Sequence, residues 1–457
     1  MKFIAFVVFT VFTNLISIEA FSADDLAARR TALVDGVFER YRLIYEDFHR
    51  NPELSGKEIE TSAKYAAELR NIGFDVTTGV GGYGVVGVLQ NGAGPTIMVR
   101  ADMDGLPIQE ETGLSYASQN PGVMHACGHD LHMTSILGVA YTLFQMKDAW
   151  RGTLVIIGQP AEETVTGARA MIADGLFTRF PKPDLALGLH VTGMLPSTTL
   201  AVRPGFALAA SDSVDVQLNG KDGHGSTPHR TVDPIVLGAE FVLKMNALVA
   251  REVDPLIPTV ITVGSFHAGT RYNIIPASVR LQMTVRNYDE GVRAFLHQRI
   301  RDVAQELSDA NRSPAPVVTL AEHVSATYNG PALYERLLPI FRAELGSANV
   351  AEMPPLMGGE DFSEYVRMGN LPGLFFFVGA TNPSTPQPWP GNHTSKLAPD
   401  FANTWPIGVK AMSAAVISLM PAVNPSPVFP SGGRSGNMIP PMVRFTPAEV
   451  ESILPHY

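Results

Sequence analysis

Between Asp24 and about Phe48 the apolar residues Leu26, Leu33, Val37, Tyr41, Ile44 and Phe48 recur at helical spacing, which predicts one amphipathic helix halted by Pro52. A second helix is expected from Glu58 to Leu69, ending near Gly73. The period then shortens. Apolar runs at Val85–Leu89 and Thr96–Arg100, separated by the turn-forming Asn91-Gly92-Ala93-Gly94-Pro95, read as strands, as do Thr153–Ile157 and Leu185–Leu189. Three of these runs lead into groups that carry chemistry. Asp102 and Asp104 follow the Thr96 run, Gln159-Pro160-Ala161-Glu162-Glu163 the Thr153 run, and His190 the Leu185 run. Helical stretches near Met133–Met146 and Ala168–Leu176 lie between them and fit βαβ crossovers. In an open α/β sheet, ligands bind beyond the carboxyl ends of the strands, so this order can gather the three groups in one crevice.

Around Arg203–Ala210 the pattern changes. A strand at Ser213–Leu218, a helix near Pro234–Ala250, strands at Thr259–Phe266 and Ser278–Arg286, a helix from Glu290 to Leu307 and a closing strand at Val317–Leu320 follow the ferredoxin-like order. The expected fold class is α/β, a catalytic domain with a mixed sheet interrupted by an α+β ferredoxin-like lid. Its boundaries are expected at 24–208 and 323–421 for the two parts of the catalytic domain and 209–322 for the lid, with a C-terminal extension at 422–457 rich in Pro and Gly. The resumed part holds Gly358-Gly359-Glu360-Asp361-Phe362, the apolar run Leu374–Val378, Gly391-Asn392-His393 and a final helix, Trp405–Met420.

Ahead of the first helix, residues 1–23 carry Lys2, an apolar run from Phe3 to Val11 that continues less purely to Ile18, and small residues near Ala20–Ala23. This is the pattern of a secretory signal peptide, and the run is short for a bilayer span of roughly 20 residues. An exported, soluble mature protein is expected, periplasmic in a Gram-negative source; an uncleaved anchor is the alternative. The length of 457 residues exceeds one hydrophobic core, in line with two domains. A net charge of −10 without any run of basic residues argues against general nucleic-acid binding.

The densest chemistry lies in Cys127-Gly128-His129-Asp130-Leu131-His132, which holds the chain's single cysteine. No intrachain disulfide is open to it, so a metal ligand or a nucleophile is the functional reading, and coordination would protect a thiol in an oxidising compartment. Collecting the side chains at strand ends and in Gly-rich loops gives Asp102, Asp104, Cys127, His129, Glu162, Glu163, His190 and His393. Each has a plain alternative alone: an inert thiol, a core histidine, a solvated turn, a helix cap. Taken jointly, thiolate, imidazole and carboxylate donors suit zinc or another divalent transition ion rather than magnesium or calcium, and their number suggests two ions sharing a bridge.

Five segments carry a resemblance: Arg100-Ala101-Asp102-Met103-Asp104-Gly105-Leu106-Pro107-Ile108, His125–Asp130, Gln159–Glu163, Lys221-Asp222-Gly223-His224-Gly225-Ser226-Thr227-Pro228-His229 and Tyr272-Asn273-Ile274-Ile275-Pro276. Over roughly residues 30–420 the chain resembles the M20 metallopeptidases, in particular the amidohydrolase branch of hippurate hydrolases, N-acyl-amino-acid deacylases and auxin-conjugate hydrolases. The resemblance implies metal ligands at Cys127, His129, Glu163, His190 and His393, with Cys127 the bridge. It implies two divalent ions, zinc first and manganese, cobalt or nickel as alternatives. Glu162 becomes the general base and Asp104 the residue that orients a ligand, while His224 and Asn273 on the lid contact the substrate carboxylate or the developing oxyanion. The expected reaction is hydrolysis of the amide bond of N-acyl amino acids by a homodimer joined through the lid. A carboxypeptidase or dipeptidase, and a non-catalytic binder on the same fold, are the rival readings. Departures from the branch at Gly105, at Arg271-Tyr272 and at Thr394–Leu397 fall on the substrate pocket and its rim.

Overall fold

The computed structural model describes residues 22–422; the expected signal peptide, up to Phe21, and the C-terminal extension, from Val423, lie outside the described residues. In chain order the larger unit begins with α1 (Ala23–Arg50), α2 (Ile59–Ile72), β1 (Asp75–Val80), β2 (Gly84–Asn91), β3 (Thr96–Asp102), α3 (His129–Gln145) and β4 (Gly152–Gln159). It continues through α4 (Gly167–Ala173), α5 (Leu176–Arg179), β5 (Leu185–Pro196), β6 (Leu200–Ala201) and β7 (Gly205–Leu208). The smaller unit follows: β8 (Ala210–Asn219), β9 (Gly223–His224), α6 (Pro234–Glu252), β10 (Thr259–Ala268), β11 (Ile274–Ile275), β12 (Ser278–Asn287), α7 (Glu290–Ala310) and β13 (Val317–Val324). The chain returns to the larger unit with β14 (Thr327–Asn329), α8 (Pro331–Leu345), β15 (Val350–Ala351), α9 (Phe362–Gly369), β16 (Gly373–Thr381) and α10 (Phe401–Leu419).

The larger unit is built on an eight-stranded mixed sheet ordered β1-β2-β4-β3-β5-β16-β6-β15. Its centre, β4, β3, β5 and β16, is parallel. Side chains alternate across it: Ile97, Val99, Leu154 and Ile156 face one core, Met98, Val155 and Ile157 the other. Helices α1, α2, α3, α8 and α10 cover the first face, and α4, α5 and α9 the second. Both faces are therefore sealed, and the strands' carboxyl ends become the open crevice.

The smaller unit is an antiparallel four-stranded sheet, β10-β12-β8-β13, with α6 and α7 packed on one face around Phe241, Leu296 and Ile300. None of its buried apolar residues belongs to the larger unit's cores. Among the described residues, no helix is long and apolar enough to cross a membrane.

Local differences from the sequence pattern have physical causes. The stretch expected as one helix at Ala168–Leu176 breaks at Gly175, which adopts φ +91°. The strand expected to end at Leu189 runs on to Pro196 because β16 pairs with it in parallel through Thr192 and, after a register shift, at Pro196, so His190 lies inside a strand rather than past its end. The helix expected from Met133 begins at His129, immediately after Gly128 at φ +90°.

Candidate metal centre

The turn into α3 is the first device of the site. A Cβ on Gly128 would lie 2.4 Å from Val191 Cγ2, so only glycine lets the Cys127–His129 turn press against the part of β5 that carries His190. Loops after β4 and β16 add Glu162, Glu163 and His393 to the same crevice, a cleft of about 450 Å³ lined also by Thr192, Leu208, Ser211, Arg286, Glu360 and Phe377.

Within it Cys127 Sγ lies 3.3 Å from His190 Nε2 and 3.3 Å from His393 Nε2. His129 Nε2 stands 3.8 Å from a carboxylate oxygen of Glu162 and 3.8 Å from one of Glu163, and His393 Nε2 stands 3.5 Å from Glu163. The donor atoms form overlapping triplets, Cys127–His129–His190 and Cys127–Glu163–His393, each within 4.8 Å. Cys127 belongs to both. The structure thus brings Cys127, His129, Glu162, Glu163, His190 and His393 together.

Two neighbours in the Cys127–His132 stretch are otherwise engaged. His132 donates through Nδ1 to Asp102 at 2.6 Å, while its Nε2 accepts the Val191 N–H at 2.8 Å, so neither nitrogen is free for an ion. Asp130 pairs with buried His49 at 2.6 Å. Asp102 is held by Arg100 at 2.6 Å as well as by His132. Asp104 supports the centre in another way: its oxygens accept the N–H groups of Glu162 and Glu163 at 3.1 and 3.0 Å and approach His129 Nδ1 at 3.3 Å.

Asp361, which sequence reasoning noted only as part of a Gly-rich motif, anchors both feet of the Glu162–Glu163 loop. It accepts from the Gln159 carboxamide at 2.7 and 2.8 Å and from the Ala168 N–H at 3.0 Å. Arg286 on β12 was also missed, since an arginine on a strand's outer face reads as a solvated cation. It lines the cleft and donates to the Met357 carbonyl at 3.0 Å, with no carboxylate partner among the described residues. The structure does not place His224 and Asn273 with the cluster. They sit on the β9/β11 ribbon of the smaller unit, exposed, with the Gly225 N–H bound to the Asn273 carbonyl and the His224 ring turned back onto Ser226.

The electrostatics suit cations. Burial, then the Glu360 and Asp361 carboxylates, push Glu162 well above the usual carboxylate range. Burial also pushes the Cys127 thiol up, against the pull of His129. Asp104 resists the upward push of burial because His129, Ser55 and the Glu163 N–H hold it below its ordinary value. His129 Nε2 and Glu163 Oε1 are buried without a hydrogen-bond partner. Buried polar atoms are rarely left so. Orphaned acceptors around a thiol, with excess acid, fit divalent transition ions.

Comparison with known proteins agrees with this geometry. Residues 98–417 match the model of peptidase family M20/M25/M40. The chain belongs to that family. The M20 chain is 37% identical over 361 residues to thermostable carboxypeptidase 2 of Saccharolobus solfataricus, covering 78% of this chain and 90% of that protein. It is 35% identical over 339 residues to the hippurate hydrolase of Campylobacter jejuni, covering 73% and 86% respectively. Among solved structures, a dinuclear metal binding peptidase of the M20 family from Bacillus subtilis superposes with a TM-score of 0.69 at 26% identity, covering 86% of this chain and 99% of that one. The M20 chain is accordingly a metal-dependent amide hydrolase acting on small molecules, with a centre for two divalent ions.

Proposed function

We propose that the enzyme hydrolyses the amide bond of small N-acyl amino acids, with Cys127, His129, Glu163, His190 and His393 holding two zinc ions. The observation that carries this reading is the sharing of Cys127 Sγ between two donor triplets, while Glu162 groups with His129 and Glu163 and with Glu360 and Asp361 but never with the thiol. The ions, when bound, polarise an amide carbonyl and acidify a water.

The chain's own groups supply the rest. Glu162, with its raised proton affinity, takes the proton of the attacking water on a carboxylate oxygen and delivers it to the departing nitrogen. Asp104 sets the direction of the His129 ring from the Nδ1 side. Arg286 receives the free carboxylate of the amino acid, a role suited to a guanidinium that meets no acid of its own. His224 and Asn273, distant from the cluster here, act when the smaller unit, residues 209–322, closes as a lid.

Further support bears on assembly and address. Exposed large apolar side chains gather on the smaller unit at Ile235, Val236, Leu243, Leu256, Phe266 and Tyr272, which supports a homodimer joined through that unit. The apolar leader at residues 1–23 supports export.

The test pairs Glu162→Gln with metal analysis and a panel of hippurate-like N-acyl amino acids and dipeptides. The expected result is loss of turnover with metal content retained, and turnover by the native enzyme of the acyl amino acids in preference to dipeptides. Preference for dipeptides would favour the carboxypeptidase reading, which the likeness to the Saccharolobus enzyme keeps in play. Undiminished turnover by the Gln variant would remove Glu162 from the chemistry.

A further inference from the structure

Asn392 is not a ligand in the proposed set, yet its carboxamide touches the backbone beside three ligands. Nδ2 donates to the carbonyl of Cys127 at 3.0 Å and to the carbonyl of Val191 at 3.0 Å, and Oδ1 accepts the N–H of Gly193 at 3.1 Å. Cys127 is one ligand, Val191 follows ligand His190, and Asn392 itself precedes ligand His393. We infer that Asn392 is a positioning residue that ties the Cys127, His190 and His393 segments into one dinuclear site, an inference that rests on the ligand set proposed above.

The hydrogen-bond pattern fixes the amide's orientation. Carbonyls only accept and a backbone N–H only donates, so a flipped carboxamide would set oxygen against two carbonyls and NH2 against an N–H. Asparagine is the side chain of this length that satisfies all three partners at once. The Val191 carbonyl has a second visitor, for His190 Nδ1 donates to it at 2.7 Å. That bond leaves His190 Nε2 without a proton and aimed at Cys127 Sγ, 3.3 Å away. Holding the Val191 carbonyl therefore also holds the tautomer and direction of a metal-binding ring. His393 needs help of the same kind. Its side chain is 57% exposed, so packing does little to orient it. Its backbone is fixed instead, at φ +64°, with its N–H donating to the Ala126 carbonyl at 2.8 Å next to the Asn392–Cys127 bond. One carboxamide thus couples segments that lie 63 and 265 residues from Cys127.

The experiment titrates cobalt(II) into metal-free full-length wild type, Asn392→Ala and Asn392→Asp, reading the dissociation constants and the thiolate-to-cobalt charge-transfer absorption. Far-UV circular dichroism of each metal-free protein reports the folded fraction. Asp keeps the volume and the acceptor for Gly193 but cannot donate to the two carbonyls. The expected result is a roughly 10–100-fold weaker dissociation constant in both variants, the range seen when a partner that orients a metal ligand is removed, with a diminished thiolate band and an unchanged folded fraction. Aspartate binding cobalt as tightly as wild type overturns the inference, because donation would then be dispensable. So does a loss of affinity that merely tracks loss of folded protein. If wild type itself shows no thiolate band, the ligand set fails; if wild type loads normally and both variants match it, the ligand set stands and the role of Asn392 falls.

Discussion

Arg286 and His49 show how much of this molecule is decided by which partner a charge meets. Arg286 offers its guanidinium to the cleft and, among the described residues, donates to the Met357 carbonyl alone, while burial lowers its proton affinity. Losing a hydrogen bond to a charged group is worth about 1.5–3 kcal/mol, so Arg286→Ala is expected to raise KM for N-acyl amino acids by about tenfold to a hundredfold. Analogues whose carboxylate is replaced by a primary amide should be unaffected, and steady-state kinetics on matched pairs check this; an equal loss on both would make the residue a hinge support instead. His49 is the opposite case. Burial pushes its ring down, but bonds to Asp130 at 2.6 Å and Glu110 at 3.2 Å overcome this and raise it from 6.5 to about 9. A raised histidine stabilises the fold fully below its unfolded value of about 6.5, and that contribution is lost as pH rises through about 9. The span is worth up to about 3 kcal/mol, and His49→Gln should flatten this part of the fall in urea midpoint between pH 6 and 10. Sequence made the metal-ligand types visible, because thiol, imidazole and paired acids are scarce and cluster. It was silent on partnership: His132 and Asp130 looked as available as His129 until Val191 and His49 were seen to occupy them.

The loop between β4 and α4 carries Glu162 and Glu163, and its shape rests on contacts from far along the chain. Asp361 pins its two ends, Asp104 binds its crest, and Glu58 accepts the Ala161 N–H at 2.8 Å. The ends approach so closely that a Cβ on Gly167 would sit 1.6 Å from the Pro160 carbonyl oxygen. Gly167→Ala therefore has to spread the loop, and we expect it to remove nearly all turnover while leaving the smaller unit's fold intact. Activity assays beside circular dichroism check this, and a variant with wild-type kcat would show that the loop tolerates opening. The same element shows why periodicity reads some elements and not others. Continuous apolar runs in β3 and β4 announce their strands because both faces are buried. The closed loop and the extension of β5 past His190 are set by neighbours distant in sequence, which no local pattern encodes. Helix α8 was overlooked because Pro339 stands within it.

At the scale of the molecule, the division between the two units governs what metal does to stability. All five proposed ligands belong to the larger unit, reaching the centre from the turn into α3, the loops after β4 and β16, and β5 itself. The smaller unit supplies none of them and has its own apolar core around α6, α7 and its four strands. Ions that bind the assembled site and not the unfolded chain stabilise by mass action, about 2.7 kcal/mol when the free ion stands at a hundred times its dissociation constant. At about 2–4 °C for each kcal/mol in a domain of this size, removing the ions should lower the unfolding temperature of the larger unit by about 5–10 °C. The smaller unit feels the ions only through its contacts at the cleft, where Ser211 and Arg286 meet the Met357–Glu360 segment. Calorimetry of the metal-loaded and chelator-treated protein should therefore show one transition that moves and one that does not, with zinc or cobalt returning the first to its place. A single transition that shifts as a whole would mean that the cleft contacts bind the two units into one cooperative body. Closure of the smaller unit would then have to break contacts that carry part of the stability of the metal centre.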